Sequence, residues 1–257
     1  MTLFDLTGKV AVVTGSTKGI GEAIAHRLAE HGAMVAVSSR KADACEAVAA
    51  DINKTFGKGR EVALPIACNI SYKEQLQNLV DKTRAKWGKI DILVCNAAVN
   101  PYFGPAAGIT DDQFDKIMDV NVRSNFWLSN MVLPEMVQRK DGSVIIVSSI
   151  GGLKGSPVLG AYCISKAADF QLARNLAVEY GSHGIRANCI APGLIKTDFA
   201  RALWENPEIL KRSTEGAPLK RIGLPDEIAG AAVFLASKAG AFMTGQTMVI
   251  DGGATIA

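Results

Sequence analysis

The feature of this chain that most restricts its fold is a regular alternation of short apolar runs with longer helical patterns. The runs, rich in Val, Ile and Ala, lie at residues 9–14, 33–38, 61–67, 90–95, 143–148, 185–191 and 247–250. Between them, helical apolar spacing marks residues 21–30, 42–56, 73–87, 111–139, 162–180 and 226–236. Because the runs are apolar on both sides, helices must cover both sheet faces. The pattern predicts an α/β protein, one domain over 1–257, with a doubly wound parallel sheet of about seven strands.

Composition excludes several classes of function. The 257 residues carry a net charge of only +3, with no basic stripe, so we expect no nucleic-acid partner. No apolar run approaches the roughly 18 residues of a membrane span, and residues 1–10 do not resemble a signal peptide. The cysteines lack metal-type spacing and several fall in strands, which favours buried thiols, a cytoplasmic location and no metal. They are Cys45, Cys68, Cys95, Cys163 and Cys189.

A glycine-rich turn follows the first predicted strand directly. Glycines at such a turn let backbone amides approach a pyrophosphate, and the helix that follows presents its N-terminus to the negative charge. The spacing is G-x-x-x-G-x-G rather than G-x-G-x-x-G, and its position in the sheet predicts nucleotide binding. The residues expected at the phosphates are Gly15, Ser16, Thr17, Lys18, Gly19, Ile20 and Gly21.

The end of the second predicted strand indicates which nucleotide binds. An NAD site usually has an acidic residue here for the ribose 2′-hydroxyl. This chain has Ser39 and Arg40 instead, and a guanidinium matches a 2′-phosphate. Lys18 lies in the turn that faces the same corner. We therefore predict NADP(H), with NAD(H) as the alternative cofactor.

Tyr162 and Lys166 indicate acid–base chemistry. They lie four residues apart at the start of a predicted helix, so both side chains emerge on one face. A neighbouring ammonium favours the phenolate, and we expect Lys166 to lower the pKa of Tyr162. A phenol that exchanges protons suits the interconversion of an alcohol and a carbonyl. A solvated lysine beside a half-buried tyrosine would give the same spacing.

Taken together, these motifs resemble the short-chain dehydrogenase/reductase family along nearly the whole chain. Residues 96–101 and the Ser-Ser-Arg end of the second strand look most like NADPH-dependent carbonyl or retinol reductases and their bacterial relatives. The resemblance implies a single-domain Rossmann-type fold. The motifs that carry it are Thr14-Gly15-x-x-x-Gly19-x-Gly21, Asn96-Ala97-Ala98, Asn121-Val122, Ser148-Ser149, Tyr162-x-x-x-Lys166, Pro192-Gly193 and Asp251-Gly252-Gly253.

The resemblance also implies a role for each residue of the site. Ser149 would bind the substrate oxygen, and Tyr162 would transfer the proton. Lys166 would lower the tyrosine pKa and hold the nicotinamide ribose, and Asn121 would support a water that leads from Lys166 to solvent. Further cofactor contacts would come from Asn69, Ile70, Asn96, Pro192, Gly193, Ile195 and Thr197.

Two positions depart from the family pattern. Ala98 stands where the family usually has glycine, which restricts the backbone at the entry to the pocket. Asn69 stands in place of an aspartate near the adenine. Neither change touches the expected catalytic residues.

Residues 194–216 match the substrate loop of the family. Its aromatic residues, with others near the expected site, predict an apolar pocket for a hydrophobic ketone or secondary alcohol. Simple packing of the loop onto the core would explain them equally well. The expected pocket residues are Ser149, Leu153, Leu159, Tyr102, Phe103, Phe199 and Trp204.

Other functions stay open at this point. A 3-oxoacyl-carrier-protein or 3-hydroxyacyl oxidoreductase of the same family would need basic residues at the rim, and this chain offers Lys140 and His183. A transferase on a similar sheet would have no use for Tyr162 and Lys166. A catalytically silent nucleotide-binding protein would not need the complete set that includes Ser149.

The sequence also predicts self-association. The last strand is apolar and would lie at a sheet edge, where unpaired backbone groups invite pairing. The helical patterns at 111–139 and 162–180 are more apolar than one sheet face requires, and family members bury them between subunits. We expect a homotetramer with two-fold axes, or at least a homodimer.

Overall fold

The computed structural model describes residues 2–257 and contains one parallel sheet whose order is that of a doubly wound fold. The chain starts at the centre, winds to one edge, returns, and winds to the other, which confirms the predicted fold class. The strands are β1 (Val10–Thr14), β2 (Met34–Ser39), β3 (Ala63–Ala67), β4 (Ile92–Cys95), β5 (Gly142–Val147), β6 (Ile185–Pro192) and β7 (Thr247–Ile250). Their order is β3-β2-β1-β4-β5-β6-β7, with every pair parallel.

Helices cover both faces of this sheet. The first group, α1, α2 and α9, packs on one face and the group α3, α5 and α6 on the other. Along β4, Val94 joins the first core and Leu93 the second, as the two-residue period of a strand requires. The helices are α1 (Gly19–Glu30), α2 (Ala42–Phe56), α3 (Lys73–Trp87), α4 (Asp111–Met118), α5 (Ser124–Arg139), α6 (Gly160–Tyr180), α7 (Arg201–Trp204), α8 (Pro207–Glu215) and α9 (Pro225–Ala236).

The predicted helix over 111–139 is divided. Between α4 and α5 lies one π-helical turn, Asp119–Arg123. Such a turn contains an extra residue and often marks a functional site. The continuous helix was therefore a wrong prediction, since apolar spacing alone does not reveal a single inserted residue.

Local signals explain several helix starts. Thr110 and Gln113 form a complete capping box at α4, and Pro225 occupies the first turn of α9. At α3, Tyr72 precedes the first turn, and the side chain of Asn69 accepts a hydrogen bond from the Ser71 amide, which folds residues 69–71 into a turn.

The topology brings the candidate residues together at the carboxyl ends of the strands. The chain reverses between β1 and β4, so the loops that follow these strands part and leave a crevice at their carboxyl ends, the position at which such sheets bind ligands. All five cysteines are buried and free. Within residues 2–257, no helix combines the length and apolarity of a membrane span, and no three potential ligand side chains gather as a metal site would require.

Candidate active site

The glycine-rich turn depends on glycine at two positions for different reasons. Gly15 has a φ of +64°, a left-handed conformation that other residues adopt at a cost. Gly21, in the first turn of α1, lies against the turn itself. A Cβ atom there would lie 2.2 Å from the Gly15 carbonyl oxygen and 2.4 Å from Asn96 Nδ2. A side chain would therefore separate α1 from the turn and disrupt the cradle that faces a phosphate group.

Asn96 and Thr14 hold this turn in place. The Asn96 amide donates to the carbonyl oxygens of Thr14, at 2.9 Å, and of Gly15, at 3.1 Å. In return, the Thr14 hydroxyl accepts hydrogen bonds from the backbone amides of Asn96 and Ala97. Asn96 thus connects the ends of β1 and β4, and its side-chain nitrogen is committed to the protein.

Ser16 also stabilises the turn. Its hydroxyl donates to the Val13 carbonyl at 2.7 Å and accepts from the Ser38 amide at 2.8 Å, while its own amide donates to the Ser38 carbonyl. These bonds occupy the polar groups that the sequence assigned to a phosphate. Lys18, by contrast, is exposed, and its ammonium lies 3.7 Å from the Asp198 carboxylate of the substrate loop.

The end of β2 presents two cations to solvent. Arg40 is exposed, and within residues 2–257 its guanidinium has no hydrogen-bond or ion-pair partner; Lys41 is also exposed. The Ser39 hydroxyl lies 3.4 Å from the Lys41 carbonyl oxygen and from Cys45 Sγ. A guanidinium without a protein partner fits a 2′-phosphate, because none of its donors is already used.

The remaining predicted cofactor residues line the same edge. Asn69 and Ile70 follow β3, with Ile70 buried. Pro192 ends β6, and a Cβ at Gly193 would lie 2.8 Å from the backbone of Asp251. Ile195 is buried, and Thr197 places its methyl group against Gly19 of the turn.

Tyr162 and Lys166 lie side by side in the first turns of α6. The Lys166 side chain is only 2% exposed, and its ammonium lies 5.7 Å from the centre of the Tyr162 ring. It donates to the Val147 carbonyl at 3.1 Å, which fixes it against the end of β5. Tyr162 remains partly exposed, with the Phe199 ring of the substrate loop 6.2 Å away.

The environment raises the pKa of Tyr162 rather than lowering it. Burial disfavours the phenolate and is the largest influence; the Lys166 charge and a hydrogen bond with Ser149 lower the pKa, but by less. The predicted effect of Lys166 is thus present, and the predicted net direction was wrong. Sequence spacing revealed the ammonium but not the depth of the pocket.

The two neighbouring serines point to different partners. The Ser148 hydroxyl is buried and donates to the Lys166 carbonyl at 2.8 Å. Ser149 lies at the end of the strand beside Tyr162, where its hydroxyl accepts a hydrogen bond from the Gly151 amide at 3.0 Å. Since that bond uses only a lone pair, the Ser149 proton can be directed to the Tyr162 oxygen or to a substrate oxygen.

Asn121 occupies the π-helical turn and is fully buried. Its side chain pairs with both backbone groups of Val99, at 2.8 and 3.0 Å, and donates to the Ser165 hydroxyl at 3.0 Å. Asn121 therefore joins the loop after β4 to α6. Both hydrogens of its amide nitrogen are engaged, and its backbone carbonyl accepts from the Asn125 amide.

The predicted substrate residues are only partly brought together. Tyr102 and Leu159 join Tyr162 around a small enclosed cavity of about 10 Å³, room for about one water molecule. Phe199 covers the tyrosine from the loop side. Leu153 and Phe103 are exposed, and Trp204 packs within the substrate loop, where its indole donates to the Thr197 carbonyl.

Comparison with known proteins gives the family. A family model described as Enoyl-(Acyl carrier protein) reductase matches residues 15–255. Dehydrogenase/reductase SDR family member 4 of Bos taurus is 44% identical over 96% of this chain and 88% of its own. The chain belongs to the short-chain dehydrogenase/reductase family.

Solved structures of this family superimpose closely. A 7α-hydroxysteroid dehydrogenase complexed with NADH and 7-oxo glycochenodeoxycholic acid is 37% identical, with a TM-score of 0.91 over 98% of this chain and 96% of that one. A gluconate 5-dehydrogenase from Burkholderia cenocepacia, in complex with NADP and tartrate, is 32% identical, with a TM-score of 0.91 over 99% and 98%. This short-chain dehydrogenase/reductase is an NAD(P)-dependent oxidoreductase.

Two buried polar residues beside the site were missed by the sequence reasoning. Asp169 lies three residues after Lys166, and its carboxylate is 3.2 Å from the Lys166 ammonium. Asn125 of α5 donates to the other carboxylate oxygen at 3.0 Å. The spacing of Lys166 and Asp169 is readable as a helical pair, but Asn125 is distant in the sequence and gave no signal.

Proposed function

We propose that this short-chain dehydrogenase/reductase interconverts ketones and secondary alcohols with NADP(H), and that Tyr162 transfers the proton. The observation that carries this proposal is the placement of Tyr162. The phenol lies beside the buried Lys166 ammonium, under the substrate loop, at the sheet edge that carries the glycine-rich turn. Bound there, the nicotinamide cofactor supplies or accepts the hydride.

The other residues of the site act on the substrate oxygen or on the tyrosine. The Ser149 hydroxyl would donate to the carbonyl or alcohol oxygen and hold it near the phenol. Tyr162 would protonate that oxygen in reduction and deprotonate it in oxidation. Lys166, fixed by the Val147 carbonyl, would stabilise the phenolate and bind the nicotinamide ribose with a donor that the protein leaves free.

The preference for NADP(H) rests on Arg40. Its exposed, unpartnered guanidinium follows β2, where a carboxylate would otherwise bind the ribose 2′-hydroxyl. A relative bound to NADP and another bound to NADH show that the family uses both cofactors, so the preference depends on the residues of this chain. Ser39 and Lys18 would assist Arg40.

The pocket supports a largely apolar substrate with at least one polar group. Leu159, Tyr102 and Phe199 supply apolar surface on three sides of Tyr162. Asn100 lines the same cavity, and within residues 2–257 its buried side-chain oxygen has no hydrogen-bond partner. A hydroxyl or amide donor on the substrate would satisfy this acceptor.

A spectroscopic assay tests the proposal. Purified protein is incubated with NADPH or NADH and a panel of cyclic, aromatic and aliphatic ketones, with a 3-oxoacyl thioester as a control for the acyl-carrier alternative. We expect oxidation of NADPH with an apolar ketone, at a kcat/KM higher than with NADH, and oxidation at least about 10²-fold slower by the Tyr162→Phe variant. A protein that binds NADPH but reduces no member of the panel would contradict the proposed substrate class.

We also propose a homotetramer in the cytoplasm. Large apolar side chains protrude from α5, α6 and the region around β7, which lies at the sheet edge. Large apolar side chains gathered at a surface mark protein–protein contacts, and the five buried free thiols are consistent with a reducing compartment. Sedimentation at micromolar concentration tests the assembly, and a particle of one chain's mass would refute it. The protruding residues are Phe126, Ile164, Val178, Phe242, Val249 and Ile256.

A further inference from the structure

A buried carboxylate and a buried amide, those of Asp169 and Asn125, lie behind Lys166. Asp169 is completely buried, and its two carboxylate oxygens face two donors, the Lys166 ammonium at 3.2 Å and the Asn125 amide at 3.0 Å. The same Asn125 nitrogen donates to the Asn121 carbonyl at 2.6 Å. Burial raises the pKa of Asp169, but the Lys166 charge and donors on both oxygens oppose this and favour the carboxylate.

These contacts form a continuous chain of polar interactions from the π-helical turn to Lys166, which lies beside Tyr162. The chain runs from the Asn121 carbonyl through the side chains of Asn125 and Asp169 to the Lys166 ammonium. An ammonium has three donors, of which one is directed at the Val147 carbonyl and one at Asp169. Only one donor remains for the Tyr162 side. The ammonium is thereby held in a single position, although lysine side chains are otherwise flexible.

Stability alone does not account for this arrangement. Taking two charges out of water costs several kcal/mol per ion, and a buried ion pair is often no more stabilising than an apolar pair of similar volume. Asp169 and Asn125 lie between α5, α6 and the second core, where apolar side chains would pack well. Their contacts with Lys166 supply a different reason for their presence.

We propose that Asp169, oriented by Asn125, is a positioning residue that fixes the Lys166 ammonium beside Tyr162 and supplies a buried negative charge opposite it. This inference rests on the proposed role of Tyr162 as the proton-transferring group. Asp169 touches neither substrate nor cofactor and acts through Lys166.

A definite pH effect follows. Deprotonation of Tyr162 beside Lys166 and Asp169 leaves a net negative charge in a buried site, whereas without Asp169 it leaves a neutral pair. With Lys166 still charged, removal of the carboxylate should therefore lower the pKa of Tyr162. The other titratable groups that face the cluster are the thiols of Cys95 on β4, Cys189 on β6 and Cys163 on α6; burial raises the pKa of each, so they stay neutral.

The test compares Asp169→Asn with Asp91→Asn. Asp91 is also a buried carboxylate with cationic partners, Lys89 at 3.0 Å and Arg139 at 3.5 Å, but it lies before β4, at the opposite edge of the sheet. The ionisation of Tyr162 is followed by the ultraviolet absorbance of tyrosinate, as the difference between each protein and the same protein with Tyr162→Phe. The pH profile of alcohol oxidation is measured in parallel.

We expect Asp169→Asn to move the Tyr162 ionisation midpoint down by at least about one pH unit, with the same shift in the oxidation profile. Asp91→Asn should leave both midpoints in place. An unchanged midpoint in Asp169→Asn would overturn the proposal. If Asp169→Asn fails to fold, the double variant Asn125→Leu with Asp169→Leu removes both groups together and is expected to show the same shift.

The ultraviolet titration needs no turnover, so the two proposals fail separately. A protein that reduces no ketone but shows the shift would refute the proposed function and retain the role of Asp169. An active enzyme without the shift would do the reverse.

Discussion

Two cations at the same sheet edge, Arg40 and Lys166, are held in opposite ways. Arg40 is exposed at the end of β2, and within residues 2–257 its guanidinium has no hydrogen-bond or ion-pair partner. Lys166 is buried, with donors fixed by Val147 and Asp169. A solvated charge interacts weakly until a ligand desolvates it, whereas a buried charge acts on its neighbours permanently. In the proposed mechanism, recognition of the cofactor and tuning of the proton donor thus use the same kind of charge in two environments.

The largest expected effect on turnover comes from a substitution of Tyr162, beside the buried cation. Tyr162→Phe removes the proton donor and almost no volume, so turnover should fall by about 10²–10⁴-fold, the usual contribution of a positioned acid or base. Binding of NADPH, measured by fluorescence titration, should be retained. A variant within about tenfold of the parent rate would remove Tyr162 from the mechanism.

Lys166→Met should damage turnover and stability together. It leaves the Asp169 carboxylate buried without its cation, which typically costs about 3–5 kcal/mol. Urea denaturation measures the loss of folding free energy. Addition of Asp169→Leu should restore most of the stability but none of the turnover, and no recovery in the double variant would show that the two residues are not energetically coupled.

Arg40→Ala tests the solvated side. Loss of a charged hydrogen bond of about 1.5–3 kcal/mol should raise the KM for NADP(H) by about 10- to 100-fold. The KM for NAD(H) should stay nearly constant, as should the rate at saturating cofactor. The neighbouring exposed Lys41→Ala serves as a matched control, and equal effects of the two variants on the KM for NADP(H) would argue for a diffuse charge rather than a specific contact.

The pH dependence should have opposite signs in the two directions. Tyr162 must be a phenol to reduce a ketone, so reduction is supported fully below its raised pKa and is lost above it. Oxidation requires the phenolate and should rise about tenfold per pH unit below that pKa. Profiles of kcat in both directions check this, and an oxidation rate that is flat across the neutral range would indicate a pKa far below the one set by burial.

The smallest expected effect is that of salt, which should weaken the action of exposed Arg40 and leave that of buried Lys166 unchanged. Between ionic strengths of about 0.01 M and 1 M the Debye length falls from about 30 Å to about 3 Å. The KM for NADP(H), which depends on exposed Arg40 and Lys18, should rise several-fold. The value of kcat, which depends on Lys166, should hardly change, and a large fall in kcat would mean that salt reaches the buried cluster.

What the sequence could predict depends on whether a feature is set by local sequence or by tertiary packing. The strands, most helices and the glycine-rich turn follow from local periodicity and from the conformational freedom of Gly15, so these predictions were confirmed. The sign of the Tyr162 pKa shift depends on the burial of the phenol, which is set by tertiary packing. The π-helical turn at Asn121 and the Asn125–Asp169 contact depend on one inserted residue and on a meeting of distant segments, and neither has a local pattern.

The reactivity of the buried cysteines can report where this protein opens locally. Burial raises the pKa of Cys68 to about 12, so hardly any reactive thiolate exists in the native state. Alkylation must wait for the surrounding structure to separate, and its rate then measures how often that happens. Cys45 lies in the layer formed by α1, α2 and α9, whereas Cys68, Cys95 and Cys189 lie in the opposite layer. The order in which mass spectrometry detects their modification would therefore reveal which side of the sheet opens first.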